Sequence, residues 1–210
     1  EVSMKRNYLR IAPLAAAAAA AALVMAATTV PSGPNKVMFP AEYDRGVLYA
    51  TVDRHDVKQY REFYTSAESV KAAREGKPLP YGTVLTLVPY KAKLDASGNP
   101  IKDANGQFIK DELVGILVME KRQGWGGDIP TDIRNGEWEY QVFTPDGKVN
   151  EKANLTACYE CHKPFANDDY LTNLAKLAGK FPSAATVMAR AGANDVAISG
   201  FVFGPAKVTV

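Results

Sequence analysis

The chain has 210 residues, of which 47% are hydrophobic and 23% are charged, and its formal net charge is +2. Residues 1–27 hold three basic side chains and one acidic side chain, so the rest of the chain carries 22 of each kind. This balance argues against a nucleic-acid-binding or polybasic membrane-surface protein, and roughly 180 residues suffice for one domain with a hydrophobic core.

The N-terminal segment has the pattern of a secretory signal peptide. Three basic residues between positions 5 and 10 precede an alanine-rich apolar stretch over residues 14–27, which ends in small residues. This arrangement predicts a signal peptide over residues 1–27 and export to the periplasm. The apolar stretch is short for a transmembrane helix, so no stable membrane insertion is expected. Residues 1–3 precede Met4, the expected start, and are interpreted as non-native or as a misassigned start.

Five segments in the middle of the chain have the composition of β-strands. They are rich in β-branched and aromatic residues, and turn residues separate them. The last one alternates polar and apolar residues, which predicts one buried face formed by Trp138, Tyr140 and Val142. The run before it is almost entirely apolar, as in a strand covered on both faces. The predicted strands are Val47–Val52, Gln59–Tyr64, Thr83–Val88 (ended by Pro89), Leu113–Met119 and Glu137–Val142.

Helices are predicted between and after these strands. Thr65 and Glu68 have the spacing of a capping box, and Gly76 is placed to end the helix that begins there. Asn154 can cap a second helix that Pro164 ends. A third is predicted from Asn167 or Asp168 to Gly179, with Tyr170, Leu171, Leu174 and Leu177 on one stripe. Residues 184–191 have a helical pattern and residues 196–203 that of a last strand. Together the elements predict the α+β class, with an antiparallel sheet packed against a few helices.

A long excursion over residues 94–111 separates two of the strands. Its Gly98-Asn99-Pro100 and Asn105-Gly106 sequences are typical of turns. Asp95 and Asp103 raise the alternative of a calcium site, but the full ligand loop is missing. A solvated hairpin is therefore the favoured interpretation.

The motif Cys158-x-x-Cys161-His162 uses both cysteines of the chain. This spacing is the attachment signature of a c-type haem, in which two thioether bonds hold the porphyrin and the histidine ligates iron. A thiol redox pair would require a thioredoxin-like setting, which the surrounding pattern lacks. A zinc site needs four ligands, and the only other histidine is His55. A local disulfide would close too short a loop to stabilise much. We predict one covalent haem c within a single domain over residues 28–210.

The order and spacing of several motifs resemble the cytochrome P-460 family, and most closely its sheet-rich beta-type cytochrome c-prime branch. The similarity runs from Phe39 to Leu177. It implies an antiparallel sheet packed on helices, a haem between them, His162 as the proximal iron ligand and a homodimer. The matching stretches are Phe39-Pro40-x-x-Tyr43, Arg61-x-x-Tyr64 with Glu68-Ser69, Gly82-Thr83-Val84, Gly136-x-Trp138-x-Tyr140-x-Val142-Phe143 and Cys158-x-x-Cys161-His162-Lys163.

The resemblance also indicates which residues occupy the distal side of the haem. In the hydroxylamine-oxidising members a lysine is bonded to the haem ring and a carboxylate handles protons. Their places correspond here to Leu87 and, within one residue, to Ile116, so the implied distal wall is apolar and includes Phe63. Arg61, like Arg54, is a candidate partner for the haem propionates, with a solvated surface position as the alternative.

The leading hypothesis is therefore a periplasmic mono-haem cytochrome with five-coordinate iron on His162 that binds NO, CO or another small gas for scavenging or sensing. A second hypothesis is hydroxylamine oxidation through a lysine–haem cross-link at Lys91 or Lys93. A third is electron transfer to a redox partner, with a sixth ligand from the set Met38, Met119, Met188 and His55. Surface exposure of His55 and core packing of Met119 are the alternatives to ligation.

Overall fold

The computed structural model describes residues 36–180. Within that range, no helix combines the length and the apolar character needed to cross a membrane. The predicted signal peptide (1–27), the helical pattern at 184–191 and the strand pattern at 196–203 all lie outside the described residues.

A six-stranded antiparallel sheet forms the framework of the fold. Its strands are β1 (Val47–Arg54), β2 (Gln59–Thr65), β3 (Val84–Ala92), β4 (Lys110–Leu113), β5 (Ile116–Lys121) and β6 (Trp138–Phe143). The strand order is β1-β2-β3-β5-β6, and β4 pairs with the far end of β3. Three α-helices accompany the sheet: α1 (Ala67–Arg74), α2 (Leu155–His162) and α3 (Leu174–Leu177). Short 3₁₀ helices cover Tyr43–Arg45, Trp125–Asp128 and Lys163–Asp168. The predicted α+β architecture is confirmed.

The two faces of the sheet carry different clusters. On the helix side, side chains from β3, β5 and β6 pack with residues of all three helices, and Trp138 and Tyr159 lie at the centre of this core. On the other side, Val37 and Phe39 of the N-terminal segment cover a smaller cluster around Ile116 and Phe143. Because successive residues of a strand point to opposite faces, the register decides which side chains meet the helices.

Two strand predictions need correction. The apolar run Leu113–Met119 is not one continuous strand, because Val114 and Gly115 separate the end of β4 from the start of β5. A Cβ at Gly115 would lie 2.9 Å from the carbonyl oxygen of Phe143, so the close approach of β6 requires glycine there. Pro89 does not end β3. Its carbonyl accepts a hydrogen bond from the Val114 N–H at the break between β4 and β5, where its missing N–H removes no ladder bond.

The last strand, β6, is buried on both faces rather than one. Trp138 and Tyr140 are buried as predicted, whereas Val142 is only half-buried. Glu139 and Gln141, on the opposite face, are also buried. Both faces are buried because the N-terminal segment covers this second face of the sheet. The alternating pattern of β6 gives no sign of this cover.

The helix boundaries are partly as predicted. α1 is capped by Ser66, whose hydroxyl accepts the Ser69 N–H at 3.1 Å, so the expected Thr65–Glu68 box is wrong by one residue. Gly76 (φ +69°) follows its end as predicted. Asn154 caps α2 as predicted, accepting from the Ala157 N–H.

The helix expected from residue 167 onward is much shorter. Asp169 and Tyr170 adopt left-handed backbone angles (φ +53° and +61°), which no helix can contain, and α3 begins only at Leu174. Pro164 lies in the first turn of a 3₁₀ helix that directly follows α2.

The excursion before β4 is a pair of turns. Asp95 accepts the N–H groups of Ser97 and Asn99, and Asp103 repeats this arrangement with Asn105 and Gln107. The carboxylates are thus occupied by local backbone donors. No group of three or more metal-ligating side chains occurs among residues 36–180.

Candidate functional site

A cavity of about 270 Å³ lies between α2 and the helix-side face of the sheet. Its volume is close to the lower end, roughly 300 Å³, of the range found for ligand pockets. Its wall includes Tyr49, Arg54, Arg61, Phe63, Leu85, Leu87, Leu117, Met119, Tyr140, Ala157, Cys158, Cys161, His162, Leu171, Thr172 and Asn173.

Helix α2 brings the Cys-x-x-Cys-His motif to this cavity. Residues three apart lie on the same side of a helix, so the thiols of Cys158 and Cys161 face the cavity together, with His162 beside them. Both cysteines are free. Burial and the neighbouring Cys161 raise the pKa of Cys158 to about 11. At neutral pH it is therefore a protonated thiol, which is unlike the low-pKa thiolate of a redox dithiol.

His162 is held in one tautomer by the backbone. Its Nδ1 lies 2.7 Å from the carbonyl oxygen of Tyr170. Because a carbonyl can only accept, Nδ1 carries the proton and Nε2 keeps its lone pair. Burial lowers the pKa of His162, so the neutral form is favoured. The Tyr140 ring packs against the imidazole, with 5.0 Å between ring centroids. A neutral imidazole with a free Nε2 and an anchored Nδ1 is the form that ligates metals.

The sheet contributes an apolar wall to the same cavity. Phe63, Leu87 and Leu117 are register partners across β2, β3 and β5, and all three line the cavity. The predicted positions of Phe63 and Leu87 thus fall on this wall. Ile116 does not: it points to the opposite face, where it packs with Val37 and Phe143. Leu117 occupies the wall position expected for Ile116. A shift of one residue along a strand moves the side chain to the opposite face of the sheet.

Two arginines stand at the cavity. Arg54 pairs with Asp56 at 2.5–2.7 Å, and this hydrogen bond lowers the pKa of Asp56 to about 2. Arg61 donates from Nε and Nη2 to the neutral amide oxygen of Gln59 at 2.8–3.0 Å. Burial and the neighbouring Arg54 lower the pKa of Arg61 to about 10. Two converging guanidinium groups, one of them paired with a neutral acceptor, form an environment suited to an added anion.

The four candidates for a sixth iron ligand occupy different positions relative to the cavity. Met119 is 8% exposed and lines the cavity. Met38 is 75% exposed and does not line it. His55 is exposed and meets the Phe108 ring edge-on, with 4.7 Å between the ring centroids. Met188 lies outside the described residues.

The two lysines considered for a cross-link are also away from the cavity. Lys91 is exposed and bonds to Glu112 at 2.6 Å. Lys93 is exposed as well, and neither residue lines the cavity.

Sequence reasoning missed some cavity residues. Tyr49 and Asn173 line the cavity, and their side chains meet through long hydrogen bonds of 3.3–3.4 Å. A register irregularity between Leu48 and Ala50 places Tyr49 where strict alternation does not. The sequence does contain a signal for Leu85. It lies two residues from Leu87 in β3, and residues two apart on a strand point to the same face. Trp138 belongs to the core rather than to the cavity wall.

The chain matches a model of a known protein family. A family model described as Cytochrome P460 matches residues 40–172, which is more than half of the chain. The matched range includes the sheet, both arginines and the Cys-x-x-Cys-His motif. No curated protein matches the chain.

Proposed function

Since the chain belongs to the cytochrome P460 family and is therefore a haem-binding cytochrome, we propose that it is a mono-haem c-type cytochrome that binds small uncharged gases such as NO and CO. The iron would have His162 as its only protein ligand and an open position opposite. The observation that carries the proposal is the pairing, across one cavity, of a neutral anchored imidazole and an apolar sheet wall.

The residues around the cavity fit a haem. The thiols of Cys158 and Cys161 lie on one side of α2 and would form the two thioether bonds, and Nε2 of His162 would ligate the iron. Arg54 and Arg61 would supply positive charge for the two propionates, which would relieve the cost of burying the Arg61 guanidinium. When bound, the haem supplies an iron centre able to take a diatomic ligand.

The composition of the wall supports gas binding rather than turnover of a hydrated substrate. Among the described residues that line the cavity, there is neither a lysine nor a carboxylate. A charged or strongly hydrated ligand would lose its hydration without replacement, whereas a diatomic gas loses little. The cavity wall, as far as the described residues form it, therefore offers no lysine or carboxylate to act as a general base on hydroxylamine.

Cellular location and partners form part of the same proposal. Attachment of haem to a Cys-x-x-Cys-His motif takes place on the exported side of bacterial cells, which supports a periplasmic protein with the signal peptide predicted at residues 1–27. The proposal includes a homodimer and a redox partner that reduces the iron. Cell fractionation tests the periplasmic location, and sedimentation of the purified holoprotein tests the homodimer.

The direct test uses the purified holoprotein. Haem stain on the denatured chain should persist, and it should be lost in Cys158→Ala/Cys161→Ala. The ferrous spectrum without added ligand should be high-spin, and CO or NO should change it at once. A split low-spin α-band in the absence of ligand would contradict an open site, and a missing stain would contradict covalent haem.

A second candidate function is electron transfer with six-coordinate iron, which the position of Met119 on the cavity favours. Met119→Leu conserves volume, so stability should change by less than about 1.5 kcal/mol. If the sulfur ligates iron, this variant alone turns a low-spin spectrum into a high-spin one. Met38→Leu is the matched control, since Met38 is exposed and outside the cavity.

A further inference from the structure

Asp169 and Tyr170 form a left-handed turn directly beside His162. Their φ angles are +53° and +61°, a region that residues with a side chain enter at an energetic cost. Two consecutive residues of this kind persist only where neighbouring structure holds them. The Tyr170 N–H donates to the Phe165 carbonyl at 2.8 Å, and the Tyr170 carbonyl in turn accepts from His162. The turn therefore aims one carbonyl oxygen at the imidazole.

The side chain of Asp169 ties this turn to one corner of the sheet. Its carboxylate accepts from Lys121 Nζ at 2.7 and 3.0 Å and from Trp138 Nε1 at 3.2 Å. Lys121 and Trp138 are register partners across β5 and β6, so both donors stand on rigid strands. Lys121 Nζ also lies 5.6 Å from the centre of the Trp138 ring. The side chains of Lys121 and Asp169 are only 12% and 25% exposed, which keeps this ion pair partly shielded from solvent.

Gly136 completes the support of the turn. It too has a positive φ, and a Cβ at this position would lie 3.1 Å from Cε2 of Tyr170. The Tyr170 ring therefore lies close against the backbone just before β6. The turn is held on both sides: by the Asp169 carboxylate at one residue and by the packing of the Tyr170 ring at the next.

From this geometry we propose that Asp169 is a positioning residue for the proximal iron ligand, an inference that rests on the proposed haem function. Through the Tyr170 carbonyl, the Lys121–Asp169–Trp138 cluster fixes the orientation of the His162 ring. It also maintains the Nδ1 hydrogen bond, which raises the basicity of Nε2 toward iron. Asp169 does not line the cavity, so its effect would reach the iron only through His162.

Three substitutions separate the backbone role of Asp169 from its carboxylate role. Asp169→Ala removes the anchor and disfavours the left-handed angle. Asp169→Gly removes the anchor but permits the angle. Asp169→Asn tolerates the angle and keeps an oxygen acceptor for Trp138 and Lys121. Asp146→Ala is the matched control, because Asp146 also accepts from a lysine, Lys148, at 2.7 Å, but is exposed and outside the cavity wall.

The readout is the iron–histidine stretching band of the ferrous holoprotein in resonance Raman spectra. We expect the band to move to lower wavenumber in Asp169→Ala, less in Asp169→Gly, and hardly at all in Asp169→Asn and Asp146→Ala. The CO association rate of Asp169→Ala should change by about tenfold, the lower end of effects seen for groups that support metal ligands.

The inference and the proposed function fail in different ways. Wild-type protein without covalently bound haem would overturn the proposed function and this inference with it. Haem-loaded Asp169→Ala with an unmoved band overturns the inference alone. If Asp169→Ala does not fold, the other two variants decide: a band that moves in Asp169→Gly but not in Asp169→Asn supports the role of Asp169, and identical bands in both overturn it.

Discussion

The substitution Arg61→Met should change stability in opposite directions with and without the cofactor. Burial and the neighbouring Arg54 lower the pKa of Arg61 well below its usual range, to about 10. This lowering corresponds to roughly 3 kcal/mol against the charged side chain, of which about 1–2 kcal/mol is expected to remain after solvent screening. Methionine fills a similar volume without the charge. We therefore expect the apoprotein to gain about 1–2 kcal/mol in its free energy of unfolding.

In the holoprotein the sign should reverse. A propionate beside the guanidinium, which here donates to the neutral amide oxygen of Gln59, would add a charge-assisted hydrogen bond. The loss of such a bond costs about 1.5–3 kcal/mol. The measurement is urea unfolding followed by circular dichroism, on chains produced with and without haem attachment.

Arg122→Met is the control for this pair of experiments. Arg122 bonds to the buried carboxylate of Glu120 at 2.6 Å on the other face of the sheet, so its removal should destabilise both forms. An Arg61→Met apoprotein that is less stable than the wild-type apoprotein would refute the reasoning, as would a gain of stability in both forms.

Three further predictions concern the wall, the back face and a turn. Phe63→Ala should cost about 3–5 kcal/mol in unfolding free energy and should speed association of a bulky isocyanide relative to CO; equal acceleration of both would place Phe63 off the ligand path. Burial raises the pKa of Glu139, so the stability of the wild type falls as pH rises through the ordinary glutamate range toward that raised value. Glu139→Gln should consequently raise the urea midpoint at pH 7 and leave it nearly unchanged at about pH 3.5, whereas an equal gain at both values would disprove a titration effect. A Cβ at Gly126 would lie 2.0 Å from the Gly136 carbonyl oxygen, whereas one at Gly127 meets nothing within 4 Å. Gly126→Ala should therefore lose more than about 2 kcal/mol and Gly127→Ala much less; similar losses in urea unfolding would contradict the close approach.

Local chemistry explains which features could be predicted from the sequence. The Cys158-x-x-Cys161-His162 motif and the Asn154 cap of α2 depend on residues within one or two helical turns, and both are where the pattern predicts them. The strands β1, β2 and β6 follow from β-forming residues and flanking turns. The placement of Phe63 and Leu87 on one wall follows from the family resemblance, and register confirms that they are neighbours.

Other features depend on contacts between distant segments. The choice between Ile116 and Leu117 as the wall residue rests on the register of β5, and the break at Val114–Gly115 that sets this register depends on the approach of β6. The left-handed turn at Asp169 depends on Lys121 and Trp138, which lie 48 and 31 residues earlier in the chain. No local pattern contains these partners.

The chemistry of the site can be read from the residue pattern alone: two thiols and an imidazole on one short helix, and a β-rich chain able to cover them. Which face of the sheet meets that helix, that Arg54 and Arg61 meet at the cavity, and how the His162 ring is held all depend on the packing of the folded chain. The two differ because the spacing of residues along the chain sets which groups share an element, whereas register and long-range packing set which groups face one another.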